Sequence, residues 1–269
     1  MKKLAQYAGG IACVALAHSP VVAADWGSVA TNACAVSEIN GKIGAGAGHT
    51  KDTGSKGGLF QGTASLSIPL NCSFGFQLDA AVGSLDGKST GGGAVHAFTR
   101  NPNSYLLGAY GEYSAVGSND ILRLGVEAEY YLDKVTLSGL AGYENSDLTK
   151  GDAFAALDIS FYATDNLRVS AGYRRFLDID AAAIGAEYQF ENAPVSLFVS
   201  GQLGSKDHRT AIAGLRVYFG GENKSLIRRH REDDPFNRLN ELIRNIATPA
   251  PVVVPPPSPG GGEGGGEVT

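Results

Sequence analysis

Residues Asn119–Glu144, NDILRLGVEAEYYLDKVTLSGLAGYE, decide the fold. From Leu122 to Leu132 the even positions read Leu122, Leu124, Val126, Ala128, Tyr130 and Leu132, with Arg123, Glu127 and Glu129 between them. Successive side chains of a pleated strand point to opposite faces, so this alternation separates an apolar face from a charged one. After Asp133-Lys134 the pattern resumes, with Val135, Leu137, Gly139, Ala141 and Tyr143 on one side and Thr136, Ser138 and Glu144 on the other. Two such strands joined by a minimal turn make a hairpin. Its two faces fit half of a soluble sandwich, or a wall with lipid outside and water inside.

The rest of the chain repeats the pattern. Phe60, Gly62, Ala64, Leu66 and Ile68 alternate with Gln61, Thr63, Ser65 and Ser67, and Phe74, Phe76, Leu78, Ala80 and Val82 oppose Gln77 and Asp79. Further on, Leu157, Ile159 and Phe161 oppose Asp158; Val169, Ala171 and Tyr173 oppose Arg168 and Arg174; and Leu215, Val217 and Phe219 oppose Arg216. About twelve strands are predicted between residues 37 and 220, with ten as the fallback, the first and fourth being the least regular. Connections after even-numbered strands read as tight. Those after odd-numbered strands, such as His49–Gly57 and Leu85–Gly92, read as longer polar loops.

The chain has 269 residues, a net charge of -5 and 37 glycines. Charge so near balance carries no basic stripe and excludes nucleic acid as a partner. Lys2 and Lys3, the apolar run Ala8–Ala17 and the small residues Val22-Ala23-Ala24 read as a signal peptide over residues 1–24, followed by a periplasmic N-terminal segment over 25–36. No apolar run after it is long enough for a transmembrane helix. A membrane-bound form is therefore a closed barrel. Export leaves Cys34 and Cys72 as a disulfide candidate in an oxidising compartment.

The sorted turns, the even strand number and the aromatic-ended last strand Gly214-Leu215-Arg216-Val217-Tyr218-Phe219 resemble the outer-membrane β-barrel proteins of Gram-negative bacteria, porin-like in the broad sense. The resemblance covers about Val36 to Gly220 and names no subfamily. It implies an all-β, antiparallel transmembrane barrel in the outer membrane, with outer-membrane lipid and the barrel insertion machinery as partners and both termini in the periplasm. The lipid-facing set includes Leu66, Phe76, Leu124, Val126, Leu137, Ile159, Val169, Ile184, Leu197 and Leu215. Family members commonly end at the terminal aromatic, whereas about fifty residues follow Phe219 here.

That extension reads as a periplasmic tail. Residues 221–247 form a charged segment and a short amphipathic helix opened by Asp234-Pro235, with Phe236, Leu239, Leu242, Ile243 and Ile246 on one face. Residues 248–269 are Pro/Gly-rich and read as disordered. One reading gives the tail a periplasmic partner or the cell wall, with its amphipathic helix docked on a partner, the inner surface of the membrane or the barrel mouth; the plainer one makes it a solvated linker.

The inward charges are the candidate functional residues: Asp79, Glu112, Arg123, Glu127, Glu129, Asp158, Arg168, Arg174, Glu187 and Arg216, with Lys42 and Arg100 beside them. Charges of both signs either line a water-filled pore or pair across the lumen and plug it. The favoured function is a passive, poorly selective pore for small solutes, without catalytic residues, cofactor or metal. The first alternative is a non-conducting structural barrel. The second is a lipid-modifying enzyme at the rim, where closure of the barrel places His49 near His208, with Asp52 and Asp207 close by. No Gly-x-Ser-x-Gly elbow and no HExxH motif supports catalysis.

Overall fold

The computed structural model describes residues 34–147, 151–220, 224–233, 235–239 and 241–243. The signal peptide, nearly all of the 25–36 segment, Asp234, Ile246 and the Pro/Gly-rich tail lie outside them. The alternating stretches form strands β1 (Asn40–Asp52), β2 (Ser55–Pro69), β3 (Phe74–Leu85), β4 (Lys88–Asn101), β5 (Tyr105–Val116) and β6 (Asn119–Leu132). The second half supplies β7 (Val135–Ser146), β8 (Asp152–Thr164), β9 (Leu167–Phe176), β10 (Ile179–Gln189), β11 (Val195–Gly204) and β12 (Arg209–Phe219). Each pairs antiparallel with its sequence neighbours, and β1 closes on β12 from Gly41↔Phe219 to Lys51↔Arg209. Closure leaves no strand edge unpaired.

The face assignment follows the period of two. Leu124 is 62% exposed on the outer wall, while its neighbour Arg123 is fully buried in the lumen. Ile43, Phe60, Val82, Val126, Ile159, Ile184 and Leu215 share the outer wall with Leu124. This is the apolar belt that a bilayer requires of a spanning barrel.

The expected contrast between short and long connections is absent. Thr53-Gly54, Asp86-Gly87 and Gly117-Ser118 join β1–β2, β3–β4 and β5–β6 as two-residue turns. The segments expected to be loops are paired instead, as in Asp52↔Ser55, Lys51↔Lys56 and Leu85↔Lys88. Backbone hydrogen bonds continue the ladder whatever the side-chain polarity, so polar residues extend the strands beyond the apolar belt. At Asp86 and Gly87 both φ angles are positive, 52° and 75°, as a type I′ hairpin turn demands.

Among the described residues after the barrel there is a single short helix, α1 (Leu226–Glu232). The helix expected from Pro235 onward is not formed among the described residues. There the chain is irregular and lies inside the lumen. Its backbone carbonyls bond to wall side chains, Gln77 Nε2 to Pro235 O at 3.2 Å and Gln202 Nε2 to Glu241 O at 2.8 Å. Lumen side chains thus replace internal hydrogen bonds a helix would have made, and Leu239, Leu242 and Ile243 pack among apolar side chains of the wall.

The candidate functional site: an occupied lumen

At the rim that carries the end of β12 and the start of β1, a strap of residues 34–36 is tied to the wall. Cys34 and Cys72 are joined by a disulfide, Ala35 N–H donates to Cys72 O at 2.8 Å, and Arg100 Nη1 donates to Ala35 O at 3.2 Å. Val36 then packs into the lumen against Phe98, Leu106 and Tyr131. Helix α1 is fixed at the same end. Ile227 N–H donates to Asp165 O, Leu226 N–H to Asn166 Oδ1, and Arg231 Nη2 to Val135 O.

From there residues 235–239 and 241–243 extend toward the opposite rim through two groups of wall charges. On the β3–β7 side, His96 lies between Asp79 (Nε2–Oδ2, 3.1 Å) and Glu127 (Nδ1–Oε2, 2.9 Å). Next to it Tyr110 donates to Glu112, and Arg123 Nη1 reaches Glu112 Oε1 at 2.8 Å while its Nη2 lies 2.8 Å from Glu144 Oε2. On the β8–β12 side Arg174 contacts Asp158 at 3.0 Å, and Arg216 and Tyr218 both contact Glu187. Arg168 lies 3.8 Å from Glu187. Glu129 accepts from Tyr131 at 2.7 Å.

The segment engages both groups. Arg123 Nη2 donates to Leu242 O at 2.8 Å, and Arg174 Nη2 meets Glu241 at 3.0 Å. Arg238 bridges Asp158 at 2.8 Å and Glu241 at 2.9 Å. Those arginines hold the Glu241 carboxyl low, at about 2, against the opposing effect of burial. Burial drives His230 the other way, well below the ordinary imidazole range; its Nδ1 lies 2.9 Å from the Tyr162 hydroxyl.

Leu239, Leu242 and Ile243 complete an apolar layer with Leu59, Leu85, Val116, Ile121 and Ile179, which line the lumen near the opposite rim. A cavity of ≈ 90 Å³ persists between β1, β9, β12 and the segment, lined in part by Lys42, Arg168, Arg174, Arg216, His230 and Glu241.

Each of the ten charged residues singled out in the sequence lies on a strand, and these contacts place their side chains on the lumen side. Sequence reasoning missed His96, because neither face of β4 is purely apolar. It also missed Arg238 and Glu241, and the bond from the inward Gln77 to Pro235 O, which matter only once the segment is inside. Inward aromatic residues were missed too. Phe98, Phe154, Phe198 and Tyr218 each carry an arginine guanidinium over the ring, at 4.8, 5.6, 4.3 and 5.0 Å. The polar-inside rule hid them.

The expected His49–His208 neighbourhood does not form. His49 faces outward, whereas His208 is buried with Asp52 at 2.8 Å and Gln202 at 3.2 Å. The pleat of β1 turns His49 to the outer wall, whereas His208, in the connection before β12, is held inward by Asp52 and Gln202. Among the described residues no group of three or more His, Cys, Asp and Glu side chains is arranged to hold a metal.

No family model matches the chain, and no curated protein does. Solved structures do. The KdgM porin in complex with disordered oligogalacturonate superposes with a TM-score of 0.50 at 13% identity, over 66% of this chain and 99% of that one. Omp33 of Acinetobacter baumannii gives 0.46 at 14%, over 68% and 99%. Outer membrane phospholipase A from Escherichia coli gives 0.48 at 12%, over 68% and 90%. At these identities the likeness is one of fold: the chain has the closed antiparallel barrel of the porin-like outer-membrane proteins.

Proposed function

We propose that this protein spans the outer membrane as a passage for small solutes held shut by its own C-terminal segment, residues 224–243. The observation that carries the reading is the anchoring of that segment to both sides of the lumen, by Arg123 to Leu242 O and by Arg174 and Asp158 to Glu241 and Arg238. A wall rich in charged and hydroxyl side chains is what a water-filled path needs once the segment leaves. Charges of both signs line it, which suits weak selectivity.

A structural role is the second reading. It is favoured by the apolar layer of Leu239, Leu242 and Ile243, which makes the stopper resemble a core rather than a lid. Catalysis has less support: His96 and His208 each have both ring nitrogens engaged by wall side chains, so neither is placed as a base beside a serine.

The test is conductance in planar bilayers. The full chain should be silent or open rarely, and a chain ended after Gly220 should conduct steadily. Full-chain Arg238→Glu, which sets a carboxylate against Asp158 and Glu241, should open often even if the shortened chain folds poorly. A folded but silent shortened barrel refutes the passage in favour of the structural role. Equal conductance of full and shortened chains refutes the stopper.

A further inference from the structure

At the rim opposite the strand termini, three cations stand side by side on the outer wall. Lys51 on β1 is directly opposite Lys56 on β2 and directly opposite Arg209 on β12. Residues so paired share a face with Cβ atoms about 5 Å apart, and like charges placed this way destabilise the pair. Asp207 lies 3.8 Å from Lys51 and is itself exposed, Asp52 points into the lumen with His208, and Asp86 accepts from Ser55.

The same rim shows the ordinary solution elsewhere. Arg175 on β9 stands opposite Asp180 on β10 and has carboxylate oxygens of Asp180 and Asp152 both at 3.3 Å. Lys51 has two cationic neighbours where Arg175 has two anionic ones. Directly beneath the trio His49 stands outward between Gly58 and Ala211; below it the outer wall is apolar, with Ala47, Phe60 and Ala213 in register, and Leu203 stands opposite Arg209 at 66% exposure.

We infer that Lys51, Lys56 and Arg209 form a binding site for the phosphate of a phosphorylated lipid in the leaflet at this rim. The inference rests on the membrane-spanning reading. The phosphate offsets the mutual repulsion of the three cations, and the acyl chains lie on the apolar surface below. Free phosphate would use the charges but not that surface. Basic side chains at a membrane boundary attract anionic headgroups in just this manner.

The test places the full-length wild type and the triple variant K51Q/K56Q/R209Q in phosphatidylcholine vesicles containing a bis-phosphorylated glycolipid. Lipid retained on the extracted protein is then measured by native mass spectrometry, with R175Q as a same-rim control. Three charges, each contributing about fivefold near an anionic surface, predict a loss of roughly 100-fold in apparent affinity for the triple variant. R175Q should retain the lipid as wild type does. Equal retention by the triple variant and wild type, both inserted, overturns the site and leaves the membrane reading intact. Displacement of the glycolipid by inorganic phosphate, with no dependence on acyl chains, overturns the lipid assignment. Failure of wild type to enter vesicles at all overturns the membrane reading and the site with it.

Discussion

Arg123, buried on β6, donates from Nη2 to the backbone carbonyl of Leu242, 2.8 Å away and 119 positions along the chain. The same guanidinium holds Glu112 and Glu144 on the two flanking strands. One side chain therefore joins three neighbouring strands to the segment inside them, and its loss should be felt in the wall and in the stopper together.

Replacing Arg123 by Met leaves Glu112 and Glu144 buried without their cation. Breaking a buried ion pair from one side costs about 3–5 kcal/mol, so the variant should unfold at clearly lower urea in detergent micelles. Adding Glu112→Gln and Glu144→Gln should restore much of that loss, because no uncompensated charge is left. Absence of rescue would show that packing of the guanidinium over Phe154, rather than charge, sets the cost.

Closure of the stopper should weaken in acid. His230 is held neutral chiefly by burial, with Arg168, Lys42 and Arg216 adding to the effect and Glu187 opposing it; the Tyr162 hydroxyl and the Phe236 ring also face it. Its folded pKa is lowered, so the released segment binds the proton and the docked one does not. Docking is then strongest above about pH 6.5 and falls by up to about tenfold per unit below it. Glu241 adds a second limb, lost between its ordinary value and about 2. Open probability should rise from pH 7 to pH 5, and His230→Asn should flatten that first limb. A pH-independent full chain would count against release of the segment.

The strap at the terminal rim can be tested through its covalent tie. Cys34 and Cys72 are 38 positions apart, and opening a loop of that size by Cys34→Ser with Cys72→Ser should remove about 2–4 kcal/mol of stability. Equilibrium unfolding measures it. An unchanged midpoint would mean that Val36 packing alone holds the strap.

Leu124→Arg should oppose insertion into bilayers by about 2–4 kcal/mol, because it puts a charge on the lipid-facing wall. Folding yield into vesicles of defined thickness gives the readout. A variant that inserts as well as wild type would reverse the assignment of the two faces.

Most of the barrel was legible because strand periodicity is local. Once Leu122, Leu124 and Val126 alternate with Arg123 and Glu127, the face of each residue follows from the pleat alone. The mistakes had local causes as well. Polar residues such as Lys51 and Lys56 looked like loop, yet backbone pairing does not require apolar side chains. The spacing of Phe236, Leu239, Leu242 and Ile243 looked like one helical face, yet Leu239, Leu242 and Ile243 join the apolar layer of the lumen while Phe236 lies under the Arg168 guanidinium.

Read by itself, the sequence determined the strand pattern, the sorting of apolar residues outward and charged residues inward, and a closed barrel with an even number of strands. Those properties depend on alternation within each strand and on the need to leave no strand edge exposed. Only the tertiary structure decided that the lumen is occupied, and by which residues. Leu242 and Arg123 are too far apart in the chain for any period or spacing to connect them. Whether an apolar and charged extension stays outside a barrel or fills it depends on the volume inside and on unpaired groups awaiting partners there, and both exist only once the sheet has closed.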